Sequence, residues 1–229
     1  MYKKRYNTYQ VIKLKKLIKI IIALIILISV LIISFFVFVK INKNSKQVVV
    51  LSYHNIVPDD TVINSNEYDT IHLSDFKKQM DYLKENGYET ISAKELYDWK
   101  EKNYNIPDKS VLITFDDGYT SFKYLVEPIL EEYNFKAICF VIGSSIPDKT
   151  PEYDPNTYQL IGKDEILNHI ENVEYGSHTY ALHQMSADGT KFVKLFSKED
   201  LQLDTDNFNT NVFKAEYLAY PYYTILKII

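Results

Sequence analysis

The sequence predicts a parallel α/β architecture, a distorted (β/α) barrel, preceded by one transmembrane helix. Three observations predict it. From Val48 onward, short apolar runs alternate with amphipathic ones, the pattern of βα units in a parallel sheet. Several of the apolar runs end in residues that carry chemistry, namely Asp116-Asp117, His178 and Pro221. In such sheets ligands and catalytic groups collect at the C-terminal ends of the strands. An uncharged apolar run, Ile20–Val39, precedes all of this.

The N-terminal segment comes first. Residues 1–19 contain Lys3, Lys4, Arg5, Lys13, Lys15, Lys16 and Lys19 and no acid. Residues 20–39 carry no charge and are interrupted only by Ser29 and Ser34. As a helix, that length spans a hydrocarbon core of about 30 Å. A buried helix of a soluble protein is rarely apolar on every side for so long. A cleaved signal peptide would have an apolar region of roughly 7–15 residues ending in small residues, whereas this run ends F-F-V-F-V-K. An uncleaved anchor is therefore expected. Basic residues are denser before the run than after it, where only Lys40, Lys43 and Lys46 follow closely. That bias predicts a cytoplasmic N-terminus and an external domain. Residues 40–47 read as a linker, and residues 48–229 as one domain large enough for a real core.

Charge is unevenly divided. Ten of the 26 Lys and Arg residues, and none of the 30 acids, lie in residues 1–47. The remainder holds 16 lysines against 30 carboxylates, a formal charge of −14. Such a domain excludes nucleic acid as a natural partner. It is compatible with a neutral substrate, or with one that gains positive charge on reaction. The single Cys139 lies in the apolar run Ala137–Ile142 and reads as a small core residue without a disulfide.

The elements follow in order. Val48–Tyr53 reads as a strand. Phe76–Asn86 reads as an amphipathic helix, with Ser74 as N-cap and Gly87 as the stop. Tyr88–Ile91 is a second strand, and Ser92 with Glu95 forms a capping box for a helix to about Trp99. Val111–Phe115 is an apolar, β-branched buried strand, followed by a helix over Tyr119–Tyr133. Lys136–Ile142 is the next strand, and residues 147–155 form a polar loop. Asp164–Ile170 is helical, Val173–Ser177 a strand, Ser197–Asn207 a helix and Glu216–Tyr220 a sixth strand. Most of the 20 Tyr and 12 Phe read as core; Tyr180, Tyr220, Tyr222 and Tyr223 stand out as lying beside the chemistry-bearing strand ends.

The stretch V-L-I-T-F-D-D-G-Y, Val111–Tyr119, places two carboxylates and a glycine at a strand end. Adjacent acids repel, so they form either a solvated turn capping the next helix or a cation ligand beside a base. The stretch E-Y-G-S-H-T-Y-A-L-H, Glu174–His183, bears on that choice. His178 and His183 are five apart, which would splay them on a regular helix but lets both turn to one point on a loop. One carboxylate and two histidines make a three-ligand zinc site with an open fourth position.

These motifs resemble the polysaccharide deacetylases of the NodB-homology type, carbohydrate esterase family 4. T-F-D-D-G is similar to the family's first motif and G-S-H-T-Y-A-L-H to its second. The wide histidine spacing is similar to the branch acting on poly-β-1,6-N-acetylglucosamine. L-S-Y-H-N-I (Leu51–Ile56) and A-Y-P-Y (Ala219–Tyr222) also resemble that branch. The resemblance covers residues 48–222. It implies a distorted barrel of about seven strands and metal-assisted amide hydrolysis on an N-acetylglucosamine polymer. Asp117, His178 and His183 would hold a divalent ion, Zn²⁺ foremost, with Asp116 as general base. The Tyr222 backbone N–H would face the oxyanion, and Pro221 and His54 would line the substrate side. For His54 a structural loop role is the alternative.

The resemblance further implies a late histidine as general acid, an apolar acetyl pocket and an arginine beside the base. No arginine follows Arg5, and the glycine usual after Pro-Tyr is missing. The expectation is therefore a chain lacking its last strand or strands, with weak activity or none. A glycan-binding protein using the same pocket, or a non-catalytic remnant, are the rival readings.

Overall fold

The computed structural model describes residues 8–43, 47–184, 196–222 and 224–228. The chain divides into two units, residues 1–47 and 48–229. Among the described residues the first holds one helix, α1 (Thr8–Lys43). Its stretch Leu14–Val39 is long and apolar enough to cross a membrane, and it extends the expected span at its N-terminal end.

The second unit is built on a seven-stranded sheet. β1 (Val49–Tyr53) pairs in parallel with β5 (Ser110–Phe115), Val49 opposite Val111 and Tyr53 opposite Phe115. The two-residue β4 (Glu89–Thr90) pairs with Ser110 and Val111 of β5, and β6 (Ala137–Val141) pairs with it from Ile113 onward. β7 (Val173–Ser177) lies parallel to β6, and β8 (Tyr217–Tyr220) meets it at Ser177. β9 (Thr224–Ile228) closes the order, antiparallel to β8. The result is a curled parallel half-barrel with one antiparallel strand. Sequence reading stopped the sheet at Tyr220, so β9 is an addition to it. A second, two-stranded sheet, β2 (Asn55–Val57) with β3 (Thr70–His72), also escaped it, because three-residue strands carry too little periodicity to read.

The central strands β5 and β6 are buried along their whole length, which is why they are mostly apolar. Val111, Ile113 and Phe115 of β5 and Ala137, Cys139 and Val141 of β6 enter one cluster. Leu112, Ile138 and Phe140 between them enter another, as the two-residue side-chain period of a strand requires. Helix α2 (Leu73–Glu85) packs Phe76, Met80 and Leu83 on the first cluster. Helix α3 (Ala93–Lys102) carries the expected capping box: Glu95 N–H donates to Ser92 Oγ, and Ser92 N–H to Glu95 Oε2. Cys139 is buried and free, as expected.

Several boundaries differ from the sequence reading. α2 starts at Leu73 because β3 runs directly into it. Ser74 thus lies inside the helix, its N–H donating to Asp59 Oδ1 at 3.1 Å, and His72 occupies the N-cap with no side-chain cap bond. The helix expected over Tyr119–Tyr133 is a π-helical turn, Phe122–Val126, leading into α4 (Glu127–Tyr133). α5 spans only Lys163–Leu167. α6 (Lys198–Asn211) starts from a second capping box, Ser197 with Asp200.

Candidate metal and catalytic centre

The Asp-Asp-Gly segment leaves the C-terminal end of β5. Asp116 N–H donates to Tyr53 O at 2.9 Å, continuing the β1 ladder by one bond. The chain then turns through two left-handed residues, Asp117 at φ 72° and Gly118 at φ 82°. Asp tolerates that region better than most residues, and glycine tolerates it freely. Gly118 is also needed for space, since a Cβ there would sit 2.8 Å from Val141 Cγ1. The far side of the turn is clamped by the 159–161 segment: Thr120 N–H donates to Gln159 O, and Ile161 N–H to Gly118 O.

His178 follows β7 directly. Its N–H donates to Val141 O at 2.8 Å, and its Nδ1 lies 2.9 Å from Ala219 O on β8. A carbonyl partner makes Nδ1 the protonated nitrogen and leaves the Nε2 lone pair free to ligate. Burial pushes the His178 pKa down, more than Asp116 and Asp117 push it up, so the imidazole is kept in its neutral, ligating form. The next residue, Thr179, is a β-branched residue at φ 72°, a strained backbone of the kind that clusters at functional sites.

Asp204 of α6 holds the loop that follows. Its carboxylate accepts Tyr180 N–H at 2.7 Å and Ala181 N–H at 2.9 Å. That brings His183 back to the site, its ring 4.9 Å from His178's and 4.8 Å from Tyr222's. Nothing in the sequence marks Asp204, which acts across more than twenty residues.

The ligating atoms of Asp117, His178 and His183 lie within 4.8 Å of one another, the one such cluster among the described residues. Asp117 Oδ1 is buried without a hydrogen-bond partner, yet stands 3.2 Å from His183 Nε2 and 3.6 Å from His178 Nε2. A buried anionic oxygen set between two imidazole nitrogens is what a cation relieves, so the donor set fits a divalent metal with N and O ligands. Burial works to raise the Asp117 pKa; the close approach of His183 and the fields of both histidines and His54 outweigh it and hold the carboxyl low.

Asp116 is half-buried beside this cluster. Burial pushes its pKa up, and His178 and His54 pull it back. His54, in the β1–β2 connection, puts Nε2 3.9 Å from Asp116 Oδ2. The structure thus brings His54 to the Asp pair. Pro221 is buried and Tyr222 half-buried at the end of β8, Tyr222 at φ 62° with its ring against His183. Of the four tyrosines singled out in the sequence, Tyr180 packs on the core and Tyr223 lies outside the described residues.

The architecture and the site together define a protein class, and comparison with known proteins gives the same one. The family described as polysaccharide deacetylase matches residues 103–227, and the chain belongs to that family. The chain is 28% identical over 143 residues to the poly-β-1,6-N-acetyl-D-glucosamine N-deacetylase of Escherichia coli (strain K12), covering 59% of this chain and 21% of that protein. It is 29% identical over 199 residues to the protein of the same name from Staphylococcus epidermidis (strain RP62A), covering 80% of this chain and 66% of that one. With a Bacillus subtilis (strain 168) relative, YxkH, it shares 35% identity over 100 residues, 44% of this chain and 33% of the relative. The chain therefore spans a third or less of two of these proteins. Among solved structures, IcaB from Ammonifex degensii superposes with a TM-score of 0.65 at 26% identity, covering 78% of this chain and 75% of that one.

Proposed function

We propose that this chain is a metal-dependent polysaccharide N-deacetylase that removes acetyl groups from an N-acetylglucosamine polymer, poly-β-1,6-N-acetylglucosamine foremost. The observation that carries the proposal is the orphaned Asp117 oxygen between two histidines, with a second carboxylate, Asp116, alongside. The names of the E. coli and S. epidermidis relatives support the substrate class.

A divalent ion held by Asp117, His178 and His183, Zn²⁺ by the chemistry of the donor set, would polarise the acetamide carbonyl and acidify the attacking water. Asp116 takes the proton of that water as general base; its half-buried carboxyl lies beside the cluster and outside the ligand set. The Tyr222 N–H, on a left-handed turn at the strand end, faces the oxygen that becomes negative. His54, within 3.9 Å of Asp116, gives the proton that the departing nitrogen needs, a role for which sequence reading had no residue. Pro221 shapes the rim on the substrate side. In the same reading α1 anchors the chain, with the N-terminus cytoplasmic and the domain outside.

The test is release of acetate from N-acetylglucosamine oligomers by the full chain in detergent. Chelation should abolish activity and Zn²⁺ restore it. Asp116→Asn should keep about one zinc per chain while losing acetate release by at least about 10²-fold. Loss of zinc from Asp116→Asn as complete as from Asp117→Asn would overturn the assigned roles. A zinc-loaded chain that releases no acetate would overturn the function.

A further inference from the structure

Beside the proposed centre lies a cavity of about 420 Å³ that neither the metal nor the base uses. It is within the roughly 300–1,000 Å³ of ordinary ligand sites. Tyr119, two residues after Asp117, and Asn55, next to His54, both line it, and the ring of Tyr158 stands edge-on to that of Tyr119 at 5.4 Å. The opposite wall comes from the loop between β2 and β3, which brings Glu67 and Asp69, with Asn66 and Asn156 completing a polar lining. The Glu67 carboxylate is fixed by two bonds from Asn64, to its N–H at 3.1 Å and its side-chain amide at 3.2 Å. Carboxylate oxygens have about four acceptor positions between them, so acceptor capacity remains. Asp69 is exposed.

The lining therefore offers aromatic faces for a sugar ring, amides for hydroxyls and two anions with no cation among the lining residues.

We infer that this cavity is a subsite for an already deacetylated, cationic glucosamine unit of the same polymer, seated next to the sugar undergoing reaction. The inference rests on the deacetylase reading and names the chemistry of its neighbouring subsite. An N-acetylglucosamine unit is neutral and offers Glu67 and Asp69 hydroxyl and amide donors but no charge. The reaction replaces its acetamide by a primary amine, which is protonated in neutral water and can donate up to three charge-assisted hydrogen bonds. A subsite that favours the product form makes the enzyme act preferentially beside a sugar that has already reacted.

Direct binding tests this without turnover. The probes are two β-1,6-linked oligosaccharides of equal length, one fully N-acetylated and one carrying a single glucosamine. They are titrated into the zinc-loaded full chain bearing Asp116→Asn. The glucosamine oligomer should bind about two- to fivefold more tightly at low salt, the range of a partly exposed charge pair. The ratio should fall toward one at high salt and in the Asp69→Asn and Glu67→Gln variants. Should a variant fail to fold, the salt dependence decides alone. Equal binding of the two oligomers, no binding of either, or a preference indifferent to salt overturns the subsite. The deacetylase reading is judged separately, by acetate release from the unsubstituted chain, so either can fail without the other.

Discussion

Replacing Asp204 by alanine should move His183 away from Asp117, its partner in the proposed metal site, while leaving His178 in place. Asp204 is buried, and its two oxygens accept the N–H groups of Tyr180 and Ala181 at 2.7 and 2.9 Å. Hydrogen bonds to a charged acceptor contribute about 1.5–3 kcal/mol each. Burial of the carboxyl, which pushes its pKa up against those two bonds, offsets part of that, leaving about 2 kcal/mol. The left-handed Thr179 costs a similar amount, about 1–3 kcal/mol. Without Asp204 that strain is left to the Gly143 N–H bond to Thr179 O, the Ser144 N–H bond to Tyr180 O and the Thr179 N–H bond to Ser177 Oγ, and the loop beyond Tyr180 relaxes. His178 keeps its own anchors on Val141 O and Ala219 O; His183 has its position only from the loop. Loss of an orienting partner typically costs about 10–100-fold in metal affinity. Competition of the purified chain against a chromophoric zinc chelator should show a fall of that size for Asp204→Ala, and a smaller one for Asp204→Asn, which keeps one oxygen. The melting temperature should drop by about 4–8 °C, at about 2–4 °C per kcal/mol for a domain of this size. Unchanged zinc affinity in Asp204→Ala, whatever the melting temperature, would refute the reasoning.

Glu127 is buried within the core, and burial foremost, with Glu165 adding, pushes its pKa from 4.5 up to about 7. Lys123 and the Tyr175 hydroxyl, at 3.4 Å, pull the other way, and Glu131 adds to the rise. The folded chain thus holds this proton more tightly than the unfolded one. Its stabilising contribution is full below about pH 4.5 and lost as pH rises through 7. Melts between pH 5 and 8 should therefore slope downward more in the parent than in Glu127→Gln, and equal slopes would contradict the assignment. Gly118→Ala meets both a left-handed backbone and Val141 Cγ1 at 2.8 Å; a destabilisation of about 2 kcal/mol is expected, read as a lower melting midpoint in urea. The mature protein should retain residues 1–39 and sediment with membranes, and N-terminal sequencing that starts between Ser34 and Val48 would argue for cleavage instead.

The sequence by itself determined the local features. An uncharged twenty-residue run can only be a long apolar helix, and α1 follows. Apolar runs with β-branched members become the doubly covered strands β5 and β6, and Ser92 with Glu95 forms its cap, because each depends on neighbours a few residues away. The grouping of Asp117, His178 and His183 was legible too, since they belong to two short motifs at strand ends. What lies between distant segments was decided by the tertiary structure. Asp204 reaches Tyr180 and Ala181 only once α6 has packed. His54 meets Asp116 only because β1 pairs with β5 in a register that sets Tyr53 opposite Phe115. The cavity of Tyr119, Tyr158 and Asp69 joins three loops that no periodicity connects. Side-chain spacing along a chain reports which face a residue takes within its own element. Which faces meet depends on the register and curl of the whole sheet, and that is a property of all its strands together.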